Sequence, residues 1–369
     1  MAGRVGAPRD RRWAARRLMR VHQLIAAAAP GDAVTGQALA WQAILRDWGV
    51  EGLVIAEHVH PALAGATRRA DRSAAELRDA DGLVLHYSVW SRVVNDAMAA
   101  SAPLALCYHN VTPGDLLRPW NPGLADACDR GRAALPRLAG RATALIADSG
   151  FNARELAEAG VGEASVVPLL LDLPAAAPAA RPAGAPASIL TVGRIVPNKR
   201  IEDVLRAFAL YRGRHAPDAT LTLVGSDEGF ASYRAALEDL GARIGRGGVR
   251  FAGRVGEAER DRLYATADAY LCMSEHEGFC APLVEALAHG VPVVARAAAA
   301  VPEMLGGAGI VLDGPDLLPL ASEALAEVVG GAETREALAA AAARRLGELR
   351  PEAVVPALRA ALAPLLEAA

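Results

Sequence analysis

The chain reads as an α/β protein of two similar halves, each a parallel sheet covered by helices. Three observations predict this. Short apolar runs alternate with segments of helical periodicity along its whole length. A Pro/Ala-rich stretch at 173–188, LPAAAPAARPAGAPAS, has four prolines in sixteen residues and divides the pattern near its middle. Residues 269–295 spell a complete strand–loop–helix–strand unit, the repeat of a parallel sheet.

In the first half, strands are expected at 20–26, 52–56, 82–86, 104–108, 144–148 and 166–171. PGDAVTG reads as a loop after the first strand, and 37–48 as a helix with apolar residues at helical spacing. SGFNARELAEAG follows the fifth strand as a capped helix. The second half restarts with ILTVGR, then predicts a helix at 201–214, a strand at 220–224, a helix at 230–241 and strands at 249–252 and 269–273. An apolar-rich helix at 352–367 closes the chain. The expected organisation is a basic leader at 1–19, a domain at 20–172, the linker at 173–188, a second domain at 189–350 and a terminal segment at 351–369. The cleft between the halves is the natural ligand site.

With 53% hydrophobic residues, the 369-residue chain has ample core for two domains. A formal charge of −3 leaves no global footprint for nucleic acid. Cys107, Cys128, Cys272 and Cys280 form no C-x-x-C pair, so spacing indicates neither a zinc site nor a disulfide framework, and a reducing cytoplasm fits. No apolar run reaches transmembrane length. The first twenty residues hold seven arginines against one aspartate. That leader suits either a frayed terminus or peripheral contact with an anionic membrane at its inner face.

EHEGFCAPLVEALAHGVPVVA, residues 275–295, carries Glu277 and Glu285 inside an apolar segment. The loop follows a strand, so it lies at the carboxyl edge of the sheet, where open α/β folds bind ligands. Ala281 opens a helix with Pro282 in its first turn, and Gly290 closes it. The free N–H groups of that helix start point into the same space, where a phosphate would fit. Glu285 lies one turn inside the helix and can face what sits beside the phosphate. Lys199 is the only lysine among 39 basic residues. It stands in TVGRIVPNKRIEDVL, between a strand end and a helix start, five residues after Arg194 at the strand tip. A compact ammonium and a guanidinium so placed can converge on one diphosphate.

These motifs carry a resemblance. VGRIVPNKRIEDVLRAF, FAGRVGEAERDRLYATADAYLCMS, EHEGFCAPLVEALAHGVPVVA and VPEMLGGAG resemble the donor-binding half of retaining glycosyltransferases of family 4, which have the GT-B fold. VHQ, PGDA, HYS, YHNVTP and ADSGFN in the first half resemble a bacterial branch of the same family. The resemblance implies two Rossmann-like domains facing a central cleft, with a C-terminal helix crossing back to the first. It implies a nucleotide-diphosphate sugar as substrate and a glycan, lipid-linked or small-molecule acceptor. Arg194 and Lys199 would hold the diphosphate and stabilise charge on the departing nucleotide. Gly193, Gly278 and the backbone around Phe279, Cys280 and Ala281 would line the donor site. Glu285 would accept hydrogen bonds from the ribose, and the base would lie beside Arg254 and Val255. Glu277 would contact sugar hydroxyls near the reacting carbon. His109, with His86 as a lesser candidate, would sit near the transferred sugar. Asp32 would either face the cleft or cap the next helix.

A diphosphate leaving group needs no acid, so the two-carboxylate plan of glycosidases is not expected and Glu277 is not assigned as a nucleophile. The resemblance implies same-face attack, with a donor phosphate oxygen taking the acceptor's proton. No covalent cofactor is expected, and the basic pair can stand in for a metal ion. Two other classes remain open on sequence: a non-catalytic nucleotide-sugar binder, and another GT-B enzyme such as an epimerase. A phosphorylase would need a Schiff-base lysine, for which Lys199 is the single candidate.

Overall fold

The computed structural model describes residues 18–173 and 184–368. Most of the basic leader, its expected membrane contact and the centre of the Pro/Ala-rich linker lie outside the described residues.

The first sheet contains β1 (Val21–Ala28), β2 (Val54–Val59), β3 (Thr67–Arg69), β4 (Gly82–Tyr87), β5 (Leu104–Tyr108), β6 (Ala144–Ala147) and β7 (Ser165–Val166). Its order is β3-β2-β1-β4-β5-β6-β7, every pairing parallel. The second contains β8 (Ser188–Val192), β9 (Thr220–Val224), β10 (Val249–Gly253), β11 (Ala269–Cys272), β12 (Val293–Arg296) and β13 (Gly309–Leu312). Its order is β10-β9-β8-β11-β12-β13, again all parallel. Helices cover both faces, so central strands such as β4 and β11 are buried at every position.

Each sheet reverses its strand order once, between β1 and β4 in the first and between β8 and β11 in the second. Crevices for ligands open at such points, outside the carboxyl ends of the strands. In the second half the two chain segments leaving that point are 193–200 and 273–280, the two loops singled out by sequence.

The closing helix, Pro351–Ala368, crosses back to the first half. Val354, Leu358, Ala361, Leu362 and Leu365 join a core cluster with Val21, Trp41, Val84, Ala105 and Ile146. That apolar stripe ties the end of the chain to the first sheet.

Three expectations need correction. The run at 166–171 pairs with the sheet only at Ser165 and Val166. Pro168 has no N–H to extend the ladder, and Val167 and Leu169 bury their side chains in core clusters instead. PGDAVTG is not all loop: its helix begins at Ala33, because the Asp32 carboxylate accepts the Thr35 N–H at 2.8 Å. Asp32 is therefore a helix cap, which accounts for its place in the sequence without any ligand. Finally, helices at Pro122–Ala139, Leu317–Gly330 and Ala332–Glu348 were not anticipated.

Candidate functional site

Lys199 lies on a short turn, Pro197–Lys199, after β8. Asn198 fastens this turn to the opposite loop: its carbonyl accepts the Glu275 N–H at 2.9 Å, and its amide donates to the His276 carbonyl at 3.1 Å. The Lys199 ammonium thereby meets Glu277, with Nζ 2.6 Å from each carboxylate oxygen. The two side chains are 21% and 6% exposed, so the ion pair is largely out of water. Burial alone would pull the lysine pKa down; the Glu277 carboxylate outweighs it and holds the ammonium above its ordinary range. An ammonium has three N–H donors. Two are used on Glu277, leaving one for a ligand.

The same loop leads into the helix Ala281–Ala288. Its cap, Cys280, has φ +69°, in the left-handed region that favours glycine. The Glu277 carboxylate lies within 4.8 Å of the Cys280 sulfur, so its ion pair with Lys199 sits beside the helix start. Phe279 and Cys280 are buried. Glu285, one turn on, accepts the Tyr264 hydroxyl at 3.0 Å and lies 3.6 Å from Arg260. Arg254 is exposed on the loop after β10, with Val255 half-buried beside it. Arg194 is exposed too, on the loop after β8, near enough to Cys128 of the first half for its charge to be felt there. Burial raises the Cys128 thiol there, and the Arg194 charge acts against it across the cleft.

The first half docks directly on this loop. A side chain at Gly278 would strike the Asn110 Cβ at 2.6 Å and the His109 carbonyl at 2.8 Å, so only glycine lets the halves approach there. Ser149 donates to the Gly278 carbonyl at 2.6 Å, and the His276 ring meets the Asn110 amide oxygen at 2.6 Å. Glu303 of the second half accepts the N–H groups of Gly150 and Phe151, at 2.6 and 2.9 Å. It thus fills the unsatisfied start of the helix Gly150–Glu158 from the other domain. Asn110, Ser149, Asn152, Asn198 and Glu303 had no role in the sequence reading. All lie in quoted motifs (YHNVTP, ADSGFN, VPNKR, VPEMLGGAG), which was the available signal.

His109 has a different environment from the one expected. Its side chain is 2% exposed, and both ring nitrogens are occupied by protein. Nδ1 lies 2.9 Å from Asp148 Oδ2, and Nε2 lies 2.8 Å from His86 Nδ1. His86 Nε2 in turn meets the Gln23 amide oxygen at 2.8 Å, while the Gln23 amide nitrogen donates to the Ala38 carbonyl. The chain of bonds sets the protons. Gln23 accepts, so His86 Nε2 carries a hydrogen and Nδ1 accepts. His109 must then donate from Nε2, and it donates to the Asp148 carboxylate from Nδ1. His109 is an imidazolium. Burial opposes that charge; the Cys107 sulfur and the Asp148 carboxylate outweigh burial and raise the ring to about 10. In this arrangement neither ring nitrogen of His109, nor of His86, is free for a sugar hydroxyl. What His109 presents toward the second half is its backbone carbonyl, at Gly278.

A pH dependence follows. The folded pKa of His109 lies above its unfolded value, so its stabilising contribution is complete below about 6.5 and lost as pH rises through about 10. The thermal midpoint should fall between pH 7 and 10, and His109→Gln should flatten that slope. A wild-type midpoint that rises over this range would contradict the assignment.

A second group of side chains also escaped sequence analysis. Cys272, Glu277 and Cys280 place their sulfur and oxygen atoms within 4.8 Å of one another, all buried. The C-x7-C spacing matches no metal motif; the fold brings the two sulfurs together because one ends β11 and the other caps the helix that folds back beside it.

The sequence model of the family described as "Glycosyl transferases group 1" matches residues 186–330, which includes both site loops of the second half. O-antigen chain mannosyltransferase B of Escherichia coli is 33% identical over 128 residues, 35% of this chain and 33% of that protein. An uncharacterized glycosyltransferase of Methanocaldococcus jannaschii is 36% identical over 118 residues, 32% of this chain and 29% of that protein. The match spans about a third of the length of each curated relative. Anabaena Alr3699/HepE, solved with UDP and glucose, superposes with a TM-score of 0.71 at 18% identity, covering 95% of this chain and all of that one. WaaG, a glycosyltransferase involved in lipopolysaccharide biosynthesis, superposes at 0.69 with 16% identity, covering 93% of this chain and 100% of the other. The fold is GT-B: two Rossmann-like parallel-sheet domains facing one another. Among the described residues no helix is long and apolar enough to cross a membrane.

Proposed function

We propose that the chain is a retaining glycosyltransferase of the family 4 type, moving a hexose from a nucleoside-diphosphate donor to a glycan or lipid-linked acceptor. The observation that carries this is the Lys199–Glu277 pair at the start of the helix Ala281–Ala288, at the switch point of the second sheet and facing the first half. Such a place suits a diphosphate: a desolvated ammonium with one donor to spare, adjoining backbone N–H groups at a positive helix end. The group 1 family match over the same loops supports the reading, as does the UDP bound by a GT-B neighbour.

Each residue then has a distinct task. Lys199 holds a phosphate oxygen and stabilises the charge that develops as the sugar–phosphate bond breaks. Arg194, exposed on the same loop, is the second cation for the diphosphate. Glu277 keeps Lys199 in place, and any spare lone pair faces a sugar hydroxyl. Glu285, backed by Tyr264 and Arg260, accepts from the ribose, with Arg254 and Val255 beside the base. Attack from the face of the leaving group, with a donor phosphate oxygen taking the acceptor's proton, requires no protein nucleophile. The domain contact at Gly278 excludes water from the reacting carbon. The reaction belongs at the cytoplasmic face of a membrane when the acceptor is lipid-linked, with the basic leader as a peripheral contact.

A thermal-shift panel of UDP-, GDP-, ADP- and dTDP-hexoses tests the reading: one nucleotide should raise the midpoint above the others. Glu285→Ala should then weaken that donor by about 10- to 100-fold, the value of a charge-assisted hydrogen bond of roughly 1.5–3 kcal/mol. Unchanged donor affinity in this variant would remove the ribose contact from the scheme.

A further inference from the structure

We infer that Cys272, Cys280 and Glu277 form a site for a thiophilic divalent cation, zinc by chemical class, in the floor of the cleft. Their ligand atoms lie within 4.8 Å of one another. Tetrahedral zinc, with Zn–S near 2.3 Å, needs sulfurs about 3.8 Å apart, so contraction on the order of 1 Å completes three-fold coordination. Cys272 donates to Ser274 Oγ at 3.4 Å. A ligating thiolate would accept that contact in reverse, from the serine hydroxyl. Cys280 keeps a side chain at φ +69°, where glycine would be unstrained, and directs its sulfur into the cluster.

The charges balance. Binding releases two thiol protons to solvent, leaving two thiolates and one carboxylate around a dication, a net −1. Lys199, 2.6 Å from both Glu277 oxygens, supplies the compensating charge. The other cluster of metal-ligand type, His86, Cys107 and His109, is a poorer host, because all four of its ring nitrogens already have protein partners. The fourth coordination position is left for water.

Occupancy has a consequence that rests on the proposed donor site. Zinc draws Glu277 toward the sulfurs and fixes Lys199 as a counter-charge to the complex, leaving the ammonium less available to phosphate. Zinc is thus an antagonist of donor binding rather than a cofactor.

The test uses the full chain and cadmium as a spectroscopic probe. One equivalent of Cd2+ should give a thiolate-to-metal ultraviolet band, displaced by Zn2+. The band should vanish in Cys272→Ser and in Cys280→Gly, the latter relieving its own backbone strain, and persist in Cys107→Ser. No band in the wild type, or a band that survives Cys272→Ser, would overturn the site. Zinc-loaded wild type should bind nucleotide sugar at least tenfold more weakly than the metal-free chain, with Cys272→Ser insensitive. Equal affinity with and without zinc would reject the antagonism. A chain that gives the band but binds no nucleotide in either state would count against the donor site itself.

Discussion

Lys199→Ala should lower turnover by about 30- to 1000-fold, the loss expected when a charge-assisted contact worth roughly 2–4 kcal/mol in the transition state is removed. The structure adds a complication that the sequence did not show. Glu277 is 6% exposed and has the ammonium on both oxygens, so the alanine variant leaves a carboxylate buried without its counter-charge. Breaking such a pair costs about 3–5 kcal/mol in stability. Turnover and folding would then fall together, and the activity loss alone would prove little. The paired change Lys199→Met with Glu277→Gln resolves this. It removes both charges, keeps similar volume, and should recover most of the thermal midpoint lost by Lys199→Ala. Activity should stay down, because the methionine has no donor for the phosphate. If the double variant turns over near the wild-type rate, Lys199 belongs to the fold and not to the reaction.

The parts of this site that were legible in the sequence are those where chemistry and local structure coincide. A loop between an apolar strand and a proline-started helix has one geometry in a parallel sheet, so Glu277, Cys280 and Ala281 could be placed at its carboxyl edge from the sequence alone. Lys199 was marked by rarity, as the single lysine among the basic residues. Contacts between distant segments carried no such local mark. The bond from Lys199 to Glu277 spans 78 residues, and that from Glu303 to Gly150 spans 153. Gly278 illustrates the difference: the resemblance implied that it lines the donor site, but a glycine is required because Asn110 and His109 press on it from the other half. The missed helices have another cause. Ala332–Glu348 is rich in alanine and buries only Ala341 and Ala342, and alanine blurs the contrast between apolar and polar faces on which periodicity depends. In Pro122–Ala139 the internal Pro136 argued against a helix that packing nevertheless enforces.

Asp148→Ala should be as damaging as any change made in the cleft, although its carboxylate is only 3% exposed. Asp148 Oδ2 holds His109 Nδ1 at 2.9 Å, and Oδ1 accepts the Asn152 amide. Without it, His109 would be a buried cation facing His86, whose Nδ1 can accept one proton but carries no charge. The ring escapes by losing its proton, which leaves His109 Nδ1 and the Asn152 Nδ2 donor without partners. The expected loss is about 3–5 kcal/mol, on the order of 10 °C in thermal midpoint for a domain of this size. Asp148→Asn keeps the shape and one acceptor but loses the charge, so it should fall between the alanine variant and the wild type. Both variants should show a shallower decline in stability between pH 7 and 10, since each loses the Asp148 share of what raises His109 and keeps only that of Cys107. Donor turnover should fall as well, because the His109 carbonyl and Asn110 form the surface on which Gly278 rests. An Asp148→Ala protein that melts within about 2 °C of wild type, with an unaltered pH profile, would mean that His109 is neutral in the folded chain and that its charge organises nothing.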